Sequence, residues 1–329
     1  MINRVLFYNS GGGIGDAIQI MPLLETLKKE FKNASFYYLC AHQNHFNSSL
    51  IDFKNEIETL DLGIKYFGFR LWHLLIVKKL IKKLKVEKFD LIIDIQTKIR
   101  NSLILRLIPH NYFLSTSLYF KLSKPVPLVK KEKKINDTIL SAINYIFKKN
   151  LKLNEYDENK IDKKFLSESK KLLPDKGYIG LSITQGNVYR KKEWPLKNIV
   201  IICNEILKRN KIPVFFIEKK NADLKNRINK FVPNAIFPEH ESNLSSPALV
   251  TCLGKRLDFA ISIDNGVMHM LSLAKVPMIV LFGPTNSEKF APSYKNLIIL
   301  DSKKINKTSN ISSISAEDVL QAAKLHLNF

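Results

Sequence analysis

Cysteine is scarce: Cys40, Cys203 and Cys252 stand far apart in 329 residues, with no C-x-x-C pair. That argues against a disulfide framework or a cysteine zinc site and fits a reducing compartment. No apolar run approaches the roughly 20 residues that a membrane-spanning helix needs. Near the N-terminus only Val5 to Tyr8 is continuously apolar, too short for the core of a secretory signal, so a cytoplasmic protein is expected. No Asp-x-Asp occurs, which removes the usual carboxylate pair for a Mg²⁺–nucleotide complex. His42-x-x-His45 is the one close histidine pair and lacks a neighbouring third ligand, so no metal is expected. A G-x-S-x-G elbow is missing too, which disfavours a serine hydrolase.

Acidic residues are also few. Thirty Asp+Glu face 52 Lys+Arg, a net charge of +22. Such a balance favours polyanionic partners, whether nucleic acid, anionic lipid or phosphorylated substrates. A lysine-rich composition spread over a solvated surface accounts for it equally. The remaining composition, 45% hydrophobic and 25% charged, is that of a globular chain. At about 150 residues per domain the length suggests two domains.

Strand and helix patterns alternate from the start. Arg4 to Asn9 and Ser35 to Cys40 read as strands around a helix with Ile20, Leu23, Leu24 and Leu27 on one face. Leu71 to Lys85 reads as a basic amphipathic helix, with Leu74, Val77, Leu80, Ile81 and Leu84 facing inward. Phe89 to Ile95 is nearly all apolar, as a strand covered on both faces should be. After a lysine-rich polar stretch, Lys121 to Lys176, the alternation resumes at Tyr178 and closes with a helix, Ser315 to Leu327. The pattern predicts two α/β domains with parallel sheets, residues 1–170 and 171–329. The closing helix is a candidate to pack back on the N-terminal domain.

The first strand runs into Ser10-Gly11-Gly12-Gly13-Ile14-Gly15-Asp16. It is neither a dinucleotide fingerprint, since Asp16 stands where a third glycine belongs, nor a P-loop. A carboxylate here suits a neutral hydroxyl better than a phosphate. Asp16 reads as a general base at the carboxyl edge of the sheet. It equally reads as the start of a capping box with Gln19. Pro22, one turn on, should kink or restart the helix.

In the second half a strand ends at Ile263 and runs through Asp264-Asn265-Gly266-Val267-Met268-His269 into a helix. A glycine-containing helix start offers N–H groups and a positive dipole end to phosphate. His269 reads as a further donor or as a packed core histidine, and Asp264 as a cap or as a residue that orients the loop. Upstream, Thr184 to Pro195 carries Arg190, Lys191 and Lys192, cations suited to a diphosphate, or simply solvated.

These residues together resemble glycosyltransferase family 9, the heptosyltransferases of lipopolysaccharide assembly. Four stretches match in order: Gly13-Ile14-Gly15-Asp16 with Met21-Pro22-Leu23-Leu24; Phe89 to Gln96 with Arg100; Lys192-Glu193-Trp194-Pro195; and Asp264 to His269 with Phe282-Gly283-Pro284-Thr285 and Pro292. Asn265, Val267 and Glu193 depart from the family pattern, as does Ile217-Glu218-Lys219-Lys220 where a glycine-rich turn is usual. The resemblance implies a GT-B fold, two Rossmann-like α/β domains with parallel sheets facing an interdomain cleft. It implies Asp16 as catalytic base, and Lys192, Asp264, Asn265, Gly266 and His269 as the binding set for a nucleotide-diphosphate sugar. Gly13, Gly15 and Gln96 fall on the acceptor side.

The implied activity is inverting, metal-independent sugar transfer without a cofactor, from ADP-heptose to a lipopolysaccharide core or related glycan. The acceptor is lipid-linked or an oligosaccharide. The basic helix Leu71 to Lys85 and the segment Lys121 to Lys134 then make peripheral contact with an anionic membrane surface. Two other readings remain: a basic non-catalytic module for nucleic acid or glycan, and a GT-B sugar-nucleotide epimerase. No helix-turn-helix or RNP-like strand supports nucleic acid, and none is expected as a partner.

Overall fold

A computed structural model of the chain describes residues 1–10, 13–40, 44–62, 64, 68–82, 86–184 and 192–327. Gly11, Gly12, His42, Lys83, Leu84, Lys85, Arg190 and Lys191, all named above, lie outside the described residues. The chain divides into two units, Met1–Asp157 and Glu158–Phe329.

The first unit runs β1 (Arg4–Asn9), α1 (Ile14–Gln19), α2 (Met21–Glu30), β2 (Ser35–Cys40), β3 (Glu58–Asp61), α3 (His73–Ile81), β4 (Phe89–Asp94), α4 (Ile99–Leu105), β5 (His110–Ser115) and α5 (Ile135–Phe147). Its five strands are all parallel, in the order β3-β2-β1-β4-β5. Parallel neighbours need crossovers that cover both faces of the sheet. The central strands are buried accordingly: Val5, Leu6, Phe7 and Tyr8 of β1 and Phe89, Leu91, Ile92 and Ile93 of β4 are fully enclosed. Pro22 restarts the first helix as expected, since α1 closes at Ile20 and α2 begins at Met21 with the proline in its first turn.

The second unit runs α6 (Lys163–Leu172), β6 (Tyr178–Ser182), α7 (Leu196–Lys208), β7 (Ile212–Phe215), α8 (Ala222–Phe231), α9 (Pro238–Glu241), α10 (Pro247–Gly254), β8 (Leu257–Ile263), α11 (Gly266–Leu273), β9 (Met278–Phe282), α12 (Ser287–Phe290), β10 (Leu297–Asp301), α13 (Ser302–Ile305) and α14 (Ala316–Leu327). Its parallel order is β10-β9-β8-β6-β7. Both orders reverse once, between β1 and β4 and between β6 and β8. In open α/β sheets the carboxyl ends flanking such a reversal diverge and leave a crevice for ligands.

Two expectations need correction. The division falls at Asp157/Glu158, not at 170/171, because α6 packs on α10 and so belongs to the second unit. The closing helix α14 packs on α7, β9 and β10, with Val319, Ala322 and Ala323 inside the second unit's core. In α3, Leu74 is exposed rather than inward-facing, as are Leu75 and Ile76, and His73 is buried in their place.

Gly283 closes β9 against Ile311, and a Cβ there would lie 2.8 Å from Ile311 Cβ and 2.9 Å from its backbone nitrogen. Backbone cannot turn aside as a side-chain end can. Gly283→Ala should therefore cost the second unit roughly 1–3 kcal/mol, read as a lower urea midpoint at unchanged slope.

Candidate functional site

In the first unit the site is built where β1 and β4 part. Gly13 caps α1 with extended backbone and no side-chain bond, and an added Cβ would meet nothing within 4 Å. Its missing side chain therefore keeps the turn open rather than relieving a clash. Gly15 is buried at the second helical position, and Asp16, half-buried, is the third. The capping-box reading of Asp16 is thereby corrected. A residue that far inside the helix is not its cap, although a carboxylate in the first turn still meets the positive end of the helix dipole.

What holds Asp16 is a relay of polar contacts. Asn9, the last residue of β1, donates from Nδ2 to the Asp16 carbonyl at 3.4 Å. Its Oδ1 accepts from Gln96 Nε2 at 2.7 Å, and the Gln96 backbone N–H donates to Asp94 Oδ1 at 3.0 Å. Asp94 ends β4 and is wholly buried. Its other oxygen accepts from Ser102 Oγ at 2.6 Å and Ser115 Oγ at 3.0 Å, tying β4 to α4 and β5. Beside the relay, burial above all, then Cys40 and the negative charge of Asp16, pushes the Tyr38 hydroxyl well above its ordinary value. Tyr38 thus stays a protonated donor. Asn9, Ser102 and Ser115 were not singled out from the sequence. The available signal was a polar side chain closing each apolar strand.

In the second unit the site forms where β6 and β8 part. Lys192 is buried, and its Nζ donates to the Asp264 carbonyl at 2.9 Å and to the Asp264 carboxylate. The same carboxylate oxygen accepts from Thr285 Oγ1 at 2.6 Å. Asp264 is thus not the helix cap: it orients the lysine and joins the loops after β6, β8 and β9. The cap is Asn265, whose Oδ1 accepts from the Met268 N–H at 3.0 Å. Its Nδ2 donates to Ser182 Oγ at 2.8 Å and the Thr184 carbonyl at 2.9 Å, so one side chain starts α11 and spans the reversal. One amide therefore both caps α11 and reaches the end of β6.

Gly266, half-buried, is the first residue of α11, and His269 is buried in the first turn and a half. In Lys192-Glu193-Trp194-Pro195 the burial alternates: Lys192 and Trp194 point in, Glu193 points out. The indole N–H of Trp194 donates to the Ile314 carbonyl at 2.8 Å, which anchors the stretch that carries Lys192. The departure at Glu193 therefore falls on an outward position. Glu218, Lys219 and Lys220 are exposed beyond the end of β7.

Each unit is a doubly wound parallel sheet that gathers polar side chains at its point of reversal, where open α/β sheets take their ligands, and the fold is that of the GT-B class. The glycosyltransferase family 9 (heptosyltransferase) model matches residues 77–320, and the chain belongs to that family. It is 22% identical over 343 residues to lipopolysaccharide heptosyltransferase 1 of Campylobacter coli, covering 94% of this chain and 95% of that one. Among solved structures it resembles a glycosyl transferase family 9 protein from Veillonella parvula, with TM-score 0.69, 18% identity and coverage of 99% and 97%. It also resembles the E. coli heptosyltransferase WaaC with ADP, with TM-score 0.71, 14% identity and coverage of 98% and 99%. Among the described residues no helix is long and apolar enough to cross a membrane.

Burial raises the Asp94 carboxyl to about 7 against the bonds from Ser102, Gln96 and Ser115, which favour the charged form. Unfolded chain gives up this proton near 3.8, so between about pH 4 and pH 7 only the folded state holds it. Stability attributable to Asp94 must fall as pH rises through that window. Asp94→Asn removes the titration. The wild-type thermal midpoint should drop more steeply than the variant's across this range, whereas parallel curves would show that Asp94 does not titrate there.

Proposed function

We propose that the protein is an inverting, metal-independent heptosyltransferase that moves a heptose-like sugar from ADP-heptose to a lipopolysaccharide core or related glycan. The observation that carries this reading is the buried Lys192–Asp264 pair beside the start of α11, at the reversal of the second sheet. A cation fixed beside a helix N-terminus suits a leaving diphosphate. The ADP in the WaaC structure makes an ADP-sugar the first donor to test.

Asp16 takes the proton of an acceptor hydroxyl as that oxygen bonds to the sugar's anomeric carbon from the face opposite the diphosphate. The carbon–oxygen bond to the diphosphate breaks, its electron pair leaves with the phosphate, and the anomeric configuration inverts. Lys192, the N–H groups from Gly266 onward and His269 stabilise the charge that develops, the part a divalent cation plays elsewhere. Gln96 and Asn9 hold the backbone that carries Asp16, with Gly13 and Gly15 leaving room for the acceptor. The acceptor is lipid-linked or an oligosaccharide, and the enzyme works in the cytoplasm in peripheral contact with an anionic membrane.

Asp16→Asn should lower kcat by about 10²–10⁴-fold, the usual worth of a general base, while ADP affinity stays as in the wild type. Normal transfer by the variant would remove Asp16 as the base. Lys192→Met should weaken ADP binding at least about tenfold, or roughly 1.4 kcal/mol, in calorimetry on protein shown to be folded. An unchanged affinity would take Lys192 out of the site. In a thermal-shift comparison of ADP-, GDP- and UDP-sugars, the ADP-sugar should raise the melting point most.

A further inference from the structure

Of the twenty-one large apolar side chains that stand exposed among the described residues, twelve lie between Leu71 and Leu128, less than a fifth of the chain. They are not scattered within it. Leu71, Trp72, Leu74, Leu75 and Ile76 form the start of α3 and the turn before it, with Leu75 88% and Trp72 50% exposed. Ile99 and Leu103 stand out from α4, and Leu107 follows its end; α3 packs against α4. Leu118 and Tyr119 lie in the loop after β5, which Ser117 Oγ ties to Ser102 Oγ of α4 at 2.8 Å. These three segments adjoin on the first unit, and each presents exposed apolar side chains.

The two stretches of sequence that supply this face carry charge of one sign. No acidic residue occurs between Asp61 and Glu87, nor between Asp94 and Glu132. Lys78, Lys79 and Lys82 continue the exposed side of α3, Lys98 and Arg106 flank α4, and Lys121 follows the loop, all exposed. Two of the acids near these stretches are turned to other tasks. Asp94 is buried among serines, and Asp90 accepts from the backbone of Asn3 and Arg4 and from Asn111. An exposed tryptophan with leucines beside it and lysines around it matches the cross-section of a lipid interface. Apolar side chains enter the acyl boundary, the indole sits at headgroup level, and the cations meet anionic phosphate. A protein partner would ordinarily show opposite charge on the rim as well.

We infer that the face formed by α3, α4 and the loop after β5 docks on an anionic phospholipid bilayer, with Trp72 and Leu75 entering it. This deepens the proposed function, resting on its placement of the acceptor at a membrane. It assigns the contact mainly to exposed apolar side chains, which the basic-helix pattern alone does not indicate.

The chain supplies its own reporter. Of its two tryptophans, Trp194 is 2% exposed inside the second unit, so a lipid-induced emission change belongs to Trp72. Vesicles of phosphatidylcholine with phosphatidylglycerol should shift the emission to the blue, and brominated acyl chains should quench it. Phosphatidylcholine alone should do neither at the same lipid concentration. Trp72→Phe should abolish the change. Leu75→Glu should reduce vesicle co-sedimentation at least tenfold, and Lys78→Glu with Lys79→Glu should erase the preference for anionic lipid, as should high salt.

Leu75→Glu should keep full turnover on an acceptor fragment stripped of acyl chains. Loss of docking and loss of transferase activity are thereby read separately. Unaltered emission with anionic vesicles, or undiminished co-sedimentation of folded Leu75→Glu, overturns the inference. So does an emission shift that follows protein concentration rather than lipid, since the face would then join two copies of the chain.

Discussion

In each unit an asparagine side chain bridges the two strands between which the sheet reverses, and the start of the helix that follows is bonded to that bridge. Asn9 links the end of β1 to Gln96 beyond β4, and Asn265 links the loop after β8 to Ser182 and Thr184 at the end of β6. All-parallel pairing leaves the carboxyl ends of such strands diverging, with backbone polar groups that the sheet cannot pair. A planar amide with donors on one atom and an acceptor on the other satisfies groups on both sides. It also fixes how far the strand ends part. Each bridge serves the following helix as well, Asn9 through the Asp16 carbonyl and Asn265 through the Met268 N–H.

Beneath these bridges lie two buried carboxylates treated in opposite ways. Asp264 is given a cation and a hydroxyl, Lys192 and Thr285, and so holds a lysine in place with its charge partly answered. Asp94 is given only hydroxyls and an N–H, and burial raises it to about 7. The first arrangement suits a place where anionic charge appears and leaves, because a pre-oriented cation needs no rearrangement when it does. The second is a framework: serines from α4 and β5 converge on one carboxyl, and the position of Gln96 follows from theirs.

Much of the fold is legible locally. β1 and β2 fall where their apolar runs fall, since a strand buried on both faces cannot hide its composition. Pro22 marks a helix boundary through covalent geometry that no tertiary context alters. By contrast α5 is masked in the sequence, although Ile139, Leu140, Ala142 and Ile143 are buried on it. The surrounding lysines lower the mean hydropathy of the stretch without touching the buried face. The boundary near Glu158 and the docking of α14 depend on which surface lies opposite, and local periodicity carries no such information. The pairing of Lys192 with Asp264, 72 residues apart, is likewise tertiary. From sequence each looks like a loop charge, and Asp16 looks like a cap until the helix is seen to begin at Ile14.

The excess of lysine admits a similar distinction. A composition bias acting alone would mix its lysines with acids along the chain, and in the second unit that is what occurs, with Lys211 on Asp258 and Lys304 on Glu288. In the first unit two lysine-bearing stretches have no acid at all, and these are where large apolar side chains stand exposed. Exposed leucine and tryptophan oppose solubility, and a solvated basic surface has no use for them. Their coincidence with one sign of charge needs a single cause acting on both. Among the surfaces a protein meets, an anionic bilayer is the one that attracts cations at its face and apolar side chains just below it.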